Sequence, residues 1–407
     1  VFPRIFGITW LAYFGFYLCR TNFSVLMPFL KTRQGYSSED LAQVLFVYSL
    51  MYAIGQFVMG GLADRLGSRL VVTGGALLSA ACSALTGAPP IPLVFVQGAN
   101  GLAQSSGWPG LLKMSGEWFP ATNRAVVMAW WGTHMVFGAF MGTALAAKAS
   151  EGHWRRGAWV PALCLTAIAL LFALVGHDRH TPRPESGRPE RGPLTLNPAL
   201  VSIAAMYFCI KLTRYSFLFW LPLYMTENLK YRPAVAGYAS SAFELIGFLG
   251  VLLAGYVSER AARGARFPVG ALMLFVLSLL CAAYPYLSGL GPWANVLAVA
   301  LLGAFTYGPD TLMVGAATQE AADPDSMARA AGFVNGLGSV GQILSPYVVA
   351  LVSARFGWSA VFVVLAGVAL LGGAVLTAYW FRHRLPDSIA PLSNPRPSLH
   401  PETAVTK

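Results

Sequence analysis

Apolar runs long enough to cross a bilayer recur from one end of this 407-residue chain to the other. A membrane helix needs roughly 20 such residues. Lipid offers no hydrogen bonds to the backbone, so only helices and closed barrels can span it. The alternating strands and aromatic girdles of a barrel are absent from the sequence. About twelve spans are expected, near 4–29, 39–62, 70–88, 91–112, 124–147, 157–176, 198–226, 234–257, 268–288, 293–317, 328–352 and 358–381. Charged residues make up 11% of the chain, against about 25% in an ordinary soluble domain. The expected fold is an all-α membrane protein.

Between the sixth and seventh runs lies GHDRHTPRPESGRPERGPLTLNP, whose proline, glycine and arginine content is that of a linker. The organisation expected is a six-helix half over 1–176, a linker over 177–197, a second six-helix half over 198–381 and a disordered tail over 382–407. No cleavable leader is expected ahead of the first span. The net charge of +11 would suit nucleic acid, but topogenic charge explains it better. Roughly 17 of the 28 Lys and Arg fall on the linker side of the membrane and about 8 on the other. That asymmetry places both termini and the linker in the cytoplasm. The five cysteines are scattered through apolar runs without metal-ligand spacing, and are read as small buried side chains.

The halves repeat. Arg20 precedes Phe23 and Pro28 by the same steps as Arg214 precedes Phe217 and Pro222, and GGLADR at 60–65 recurs as GYVSER at 255–260. Sites in such repeated folds lie at the midplane between the halves, which puts both arginines at matching depth on facing first helices. An ionisable residue at that depth costs about 2.5–3.5 kcal/mol to insert, so its presence asks for a function. Arg20, Lys211, Arg214, Glu244 and Asp310 are the candidates. Arg20 follows fifteen uncharged residues and is too deep to snorkel easily. Two or three cations facing one cavity repel until an anion arrives. A phosphoryl group, with about −1.5 to −2 charge and three acceptor oxygens, meets that need, and guanidinium forks bind it bidentately.

Lys211 shares a helix face with Arg214. His134 is either a packed core histidine or a ligand contact. Glu244 and Asp310 balance charge or carry protons. Tyr13, Tyr17, Tyr52 and Tyr307 are placed to line the path. The most specific local motif is GGLADRLGSR at 60–69, which sets Asp64, Arg65 and Arg69 at a tight turn; a gating role is expected for them and for Glu259 and Arg260 of its half-repeat. Pro109, in GWP, is expected to kink the fourth span.

With these residues in view, GGLADRLGSR resembles the signature loop of the major facilitator superfamily. YLCRTNFSVLMPFL, NGLAQSSGWPGLLKMSGEWF, KLTRYSFLFWLPLYM, AFELIGFLGVLLAGYVSER and TYGPDTLMVGAA narrow the resemblance to its organophosphate:phosphate antiporters, over essentially all twelve spans. The resemblance implies that Arg20 and Arg214 clamp phosphate, that His134 contacts it, and that Tyr13, Tyr17, Tyr52 and Tyr307 are cavity tyrosines. Glu244 matches an acidic position of that family. Thr21 and Gln56 stand where a glycerol-3-phosphate exchanger carries lysines, Lys211 where it has a tyrosine, and Asp310 where it has an apolar residue. The phosphate clamp is thus kept while the organic end of the pocket differs.

The expected activity is exchange of an organophosphate (sugar phosphate, glycerol phosphate or phosphoglycerate) for inorganic phosphate by alternating access. The alternatives are a transporter-like sugar-phosphate sensor and a proton-coupled organic-anion symporter. A monomer in the inner membrane is expected, with no cofactor, metal or nucleic-acid partner. Nothing in the sequence resembles a nucleotide loop or catalytic triad, so no enzyme is expected.

Overall fold

The computed structural model describes residues 2–88, 92–118, 124–178, 197–262, 265–321 and 327–383. Among them the chain is helical throughout, without strands. The first helices are α1 (Phe2–Gln34), α2 (Ser38–Leu66), α3 (Ser68–Thr86), α4 (Leu93–Gln104), α5 (Gly107–Trp118), α6 (Arg124–Ser150) and α7 (Arg156–Val175). The remainder are α8 (Pro198–Glu227), α9 (Pro233–Tyr256), α10 (Arg266–Gly289), α11 (Pro292–Thr311), α12 (Thr318–Ala321), α13 (Met327–Phe356) and α14 (Trp358–His383). Single π-helical turns follow α9 at Val257–Ala261 and α11 at Leu312–Ala317. The tail beyond His383 and the linker over 179–196 lie outside the described residues.

Helix starts follow local chemistry. Ser37 caps α2 in a reciprocal box with Asp40, and Asn197 caps α8 ahead of Pro198. The ends of α2, α5, α7, α9 and α12 share one end of the bundle with Phe2 and His383 (the terminal face). The α1–α2, α8–α9 and α13–α14 turns lie at the opposite, far face.

Eight helices are long and apolar enough to cross a membrane: α2, α3, α7, α9, α10, α11, α13 and α14. The long helices α1 and α8 fall short on apolar content. They carry Arg20, and the pair Lys211 and Arg214, within their length. The central stretch of α1, from Gly15 to Pro28, is buried residue for residue.

The expected fourth span is broken in two, and the break falls before the proline. Ser105 and Ser106 separate α4 from α5. The ring of Pro109 opposes the carbonyl four residues back, which belongs to Ser105, and offers it no N–H. The two serine hydroxyls donate to Leu102 O and Ala103 O at 2.6 and 2.7 Å, closing the end of α4. Gly75 of α3 makes room for this break, since a Cβ there would collide with the Ser106 hydroxyl. On the other side of α1, a Cβ at Gly142 of α6 would lie 2.7 Å from Tyr17 O. Such small residues let membrane helices approach closely, and this one seats α6 directly on the face of α1 that leads to Arg20.

One apolar cluster is built wholly from α1, α3, α5, α6 and α7. A larger one is centred on α8, α10, α11, α13 and α14 and reaches α1 and α2. The two groups of helices meet where α1 packs on α8 and α9, α2 on α13, and α6 on α9. Of the cysteines, Cys19, Cys82, Cys209 and Cys281 are buried and Cys164 is half-buried; all five are free thiols.

Candidate functional site

Arg20 sits in the middle of α1, 5% exposed. Its guanidinium carbon lies 4.5 Å from the Tyr17 ring centre, 5.0 Å from that of Tyr52 and 6.0 Å from that of Tyr13. Aromatic faces attract a cation electrostatically, the more so away from water. Its Nε and Nη2 both donate to Gln104 Oε1, at 3.1 and 3.0 Å. Gln104 is itself fixed, because its Nε2 donates to Phe16 O and Ser79 Oγ. The chain continues through Ser79 to Asn100, Asn100 to Gln97, and Gln97 to Thr86 near the far face. Arg20 therefore ends a buried ladder of neutral polar groups, and no carboxylate among the described residues forms an ion pair with it. Gln56, one turn beyond Tyr52, is half-buried and takes no part in these bonds.

Arg214 of α8 is held differently. Its Nη1 pairs with Asp310 Oδ2 of α11 at 2.7 Å, with the two side chains 12% and 9% exposed. Nη2 donates to Tyr307 OH at 3.2 Å, and the guanidinium lies 4.2 Å from the Tyr307 ring centre. Its Nε is buried without a partner. Both arginines were expected as facing cations, with Asp310 a candidate to balance their charge, and on Arg214 it does so. Lys211, one turn earlier, is 7% exposed and donates to Asn335 and Ser339 of α13 at 2.9 and 3.3 Å. Its Nζ lies 5.0 Å from the Tyr207 ring centre.

The two clusters lie on adjoining helices, since α1 packs against α8. His134 is completely buried with neither ring nitrogen bonded, its ring 4.5 Å from that of Tyr13 and 4.3 Å from that of Trp131. An unmet buried polar group costs about 1–3 kcal/mol. His134 and the Nε of Arg214 thus both carry unused hydrogen-bonding capacity beside the cations. Glu244 of α9 is buried at the junction with α1 and α6, against Ser24, Thr143 and Ser240. It forms no ion pair among the described residues.

The motif residues at the terminal face engage neighbours on their own side of the bundle. Asp64 pairs with Lys113 of α5 at 3.2 Å, and Lys113 also donates to Ala63 O. The side chain of Arg69 donates to Ala173 O at the end of α7. In return, Asp178 accepts from the Arg69 backbone N–H at the start of α3. Gly67 makes the turn at φ +89°, where a side chain would be strained and would also meet Asp178. In the half-repeat, Glu259 pairs with Arg266 at 2.5 Å, and Arg266 reaches Glu320 at 3.1 Å. Arg65 and Arg260 are exposed at this same face.

Gln104, Asn335, Ser339, Lys113 and Asp178 were not anticipated. Gln97, Asn100 and Gln104 recur at steps of three and four on an otherwise apolar helix, and Asn335 and Ser339 are four apart. Polar residues on one stripe of a membrane helix were the available signal.

The fold and the buried cations set between two groups of helices define a helical membrane bundle with an ionisable centre. The chain belongs to the Major Facilitator Superfamily, which it matches over residues 9–335 and 203–404. Its relatives lie in the branch that its motifs resemble, the organophosphate:phosphate antiporters. It is 25% identical to a glycerol-3-phosphate transporter of Bacillus subtilis (strain 168), over 93% of this chain and 92% of the relative. It is 26% identical to a glucose-6-phosphate exchanger of Bos taurus, over 83% and 80%. Among solved structures, a bacterial homolog of the human lysosomal transporter Spinster, inward-facing and occupied, superposes with a TM-score of 0.75 at 15% identity, covering 93% of this chain and 96% of the other. That likeness concerns the fold.

Proposed function

We propose that this protein exchanges an organophosphate for inorganic phosphate across the inner membrane, with the phosphoryl group held between Arg20 and Arg214. The observation that carries the reading is the pair of guanidinium groups on the packed helices α1 and α8, Arg20 buried and the Arg214 side chain 12% exposed. The unmet hydrogen-bonding capacity of His134 and of Arg214 Nε adds to it. A phosphoryl oxygen can accept from several such donors at once. The two relatives named above act on phosphate esters, the same class of solute.

In this reading α1, the α4–α5 pair, α6 and α8 cross the bilayer together with the eight more apolar helices, giving twelve crossings. The charged residues that lower the hydropathy of α1 and α8 face the site rather than lipid. Two six-helix halves, 1–176 and 198–381, rock about the site. The terminal face is cytoplasmic by its excess of Lys and Arg, and the working unit is a monomer. Tyr13, Tyr52 and Tyr307 shape the path around the anion, while Lys211 meets the organic part of the substrate.

The test is counterflow. Purified protein in phosphate-loaded liposomes is presented with labelled phosphate, glycerol 3-phosphate, glucose 6-phosphate and 3-phosphoglycerate. Uptake of phosphate and at least one ester, driven by internal phosphate, is expected. Ester binding without uptake of any compound would overturn the carrier reading in favour of a sensor.

A further inference from the structure

We infer that Asp310 serves as a built-in counter-anion for Arg214 in the empty site, so that the carrier also moves phosphate without exchange, as net flux in one direction. This rests on the phosphate-carrier reading above and extends it to what happens when no substrate is bound.

Obligatory exchange has a physical cause. Cations facing one another in a low-dielectric site repel strongly, and closing the protein over them is unfavourable until an anion neutralises them. On α8 and α11 that neutralisation is already present. Asp310 Oδ2 stands 2.7 Å from Arg214 Nη1, both side chains are about nine-tenths buried, and Tyr307 three residues earlier on α11 accepts from Nη2. A carboxylate and a hydroxyl thus fill two guanidinium positions that a phosphoryl group would use. Both partners lie in the same group of helices, so the pair has no need to break when the two groups move against each other. Arg20, on the other side, is bonded by neutral Gln104 and spread over three tyrosine faces. The site therefore closes over one strongly exposed repulsion fewer than its cation count implies.

Substrate must then compete with Asp310 for Arg214, and the displaced carboxylate has a second cation to turn to. Lys211 lies one turn before Arg214 on the same face of α8. Lys211 has only neutral oxygens, from Asn335 and Ser339, among its hydrogen-bond acceptors. The backbone around Asp310 is suited to such a change of aim. Pro309 immediately precedes it and removes one helical hydrogen bond, and the π-helical turn at Leu312–Ala317 begins two residues on. Turns of that kind inside α-helices recur at functional sites.

The experiment compares two rates in one preparation. Liposomes holding labelled phosphate, with potassium and valinomycin to clamp the membrane potential, are diluted into phosphate medium to measure self-exchange, and into phosphate-free medium to measure net efflux. In the wild-type protein, net efflux is expected within about tenfold of self-exchange. In Asp310→Asn the ratio of net efflux to exchange is expected to fall at least tenfold, while phosphate binding tightens because its internal competitor is gone. Wild-type exchange without measurable net efflux overturns the inference, whatever the variant does. An unchanged ratio in Asp310→Asn, or wild-type net efflux that requires an imposed proton gradient, overturns it as well. Failure of wild-type self-exchange itself would instead overturn the phosphate-carrier reading on which it stands.

Discussion

At the scale of single residues, the two arginines sit in unlike surroundings. Arg20 uses the forked geometry of its side chain, with two nitrogens on one Gln104 oxygen; Arg214 uses it to hold Asp310 and Tyr307 at once. An ammonium is a point charge and cannot repeat either arrangement. Arg20→Lys and Arg214→Lys are each expected to lower phosphate self-exchange in liposomes by roughly tenfold or more, since a hydrogen bond to a charged group is worth about 1.5–3 kcal/mol. Normal exchange in both variants would remove the clamp. Lys211 needs no fork, because its present partners are single oxygens of Asn335 and Ser339. Lys211→Ala is expected to weaken binding of the preferred organophosphate several-fold more than binding of phosphate, as read by competition against labelled phosphate. Equal losses would place Lys211 in the phosphate clamp. The cations were legible in the sequence because a charge inside an apolar run is conspicuous. Their partners were not: Gln104 and Asn335 are unremarkable by type, and pairing Arg214 with Asp310 joins residues 96 apart, a distance that only packing can bridge.

At the scale of helices, hydropathy was legible wherever a helix faces lipid on much of its surface, as α7 and α14 do. It lost force for α1 and α8, which are buried over most of their length and carry charged residues within it. The α4–α5 break eluded it because the visible signal, Pro109, acts on the carbonyl four residues earlier. The turn between α2 and α3 was recognised by its glycines and charges, but its partners, Lys113 and the Asp178 carboxylate, come from distant parts of the chain. Those partners sharpen the expectation for gating. Asp64 is tied to α5 through Lys113, and the side chains are 57% and 32% exposed, so the ion pair itself is worth about 1 kcal/mol at most. Asp64→Asn is expected to slow turnover up to about fivefold while leaving phosphate affinity nearly unchanged. Lys113→Met should do more, because it also removes the donor to Ala63 O at the end of α2. Turnover measured beside equilibrium binding decides the matter, and affinity falling as steeply as turnover would argue against a gate.

At the scale of the whole molecule, the polar contacts identified between the two groups of helices gather at the far face. Lys31, at the end of α1, meets Glu227, at the end of α8, at 2.5 Å. Lys31 also donates to Ser38, and Trp358 of α14 donates to the other oxygen of Glu227. Tyr238 of α9 reaches Glu151 beyond α6 at 3.4 Å. Since α1 and α8 also carry the two arginines, Lys31–Glu227 joins the far ends of the helices that hold the site. Opening the far face must separate this pair, whereas opening the terminal face leaves it intact. With both side chains about one-third exposed, its worth is on the order of 1 kcal/mol, enough to shift a two-state equilibrium by about fivefold. Lys31→Met and Glu227→Gln are each expected to raise the far-face-open population by that order. Spin labels on the α1–α2 and α8–α9 turns would report it as growth of the longer-distance component. The paired exchange Lys31→Glu with Glu227→Lys should restore most of the closed population, because it recreates the attraction with the charges reversed. If the double variant stays as open as the single ones, the far face is closed by the packing of α1 on α8 and not by this ion pair.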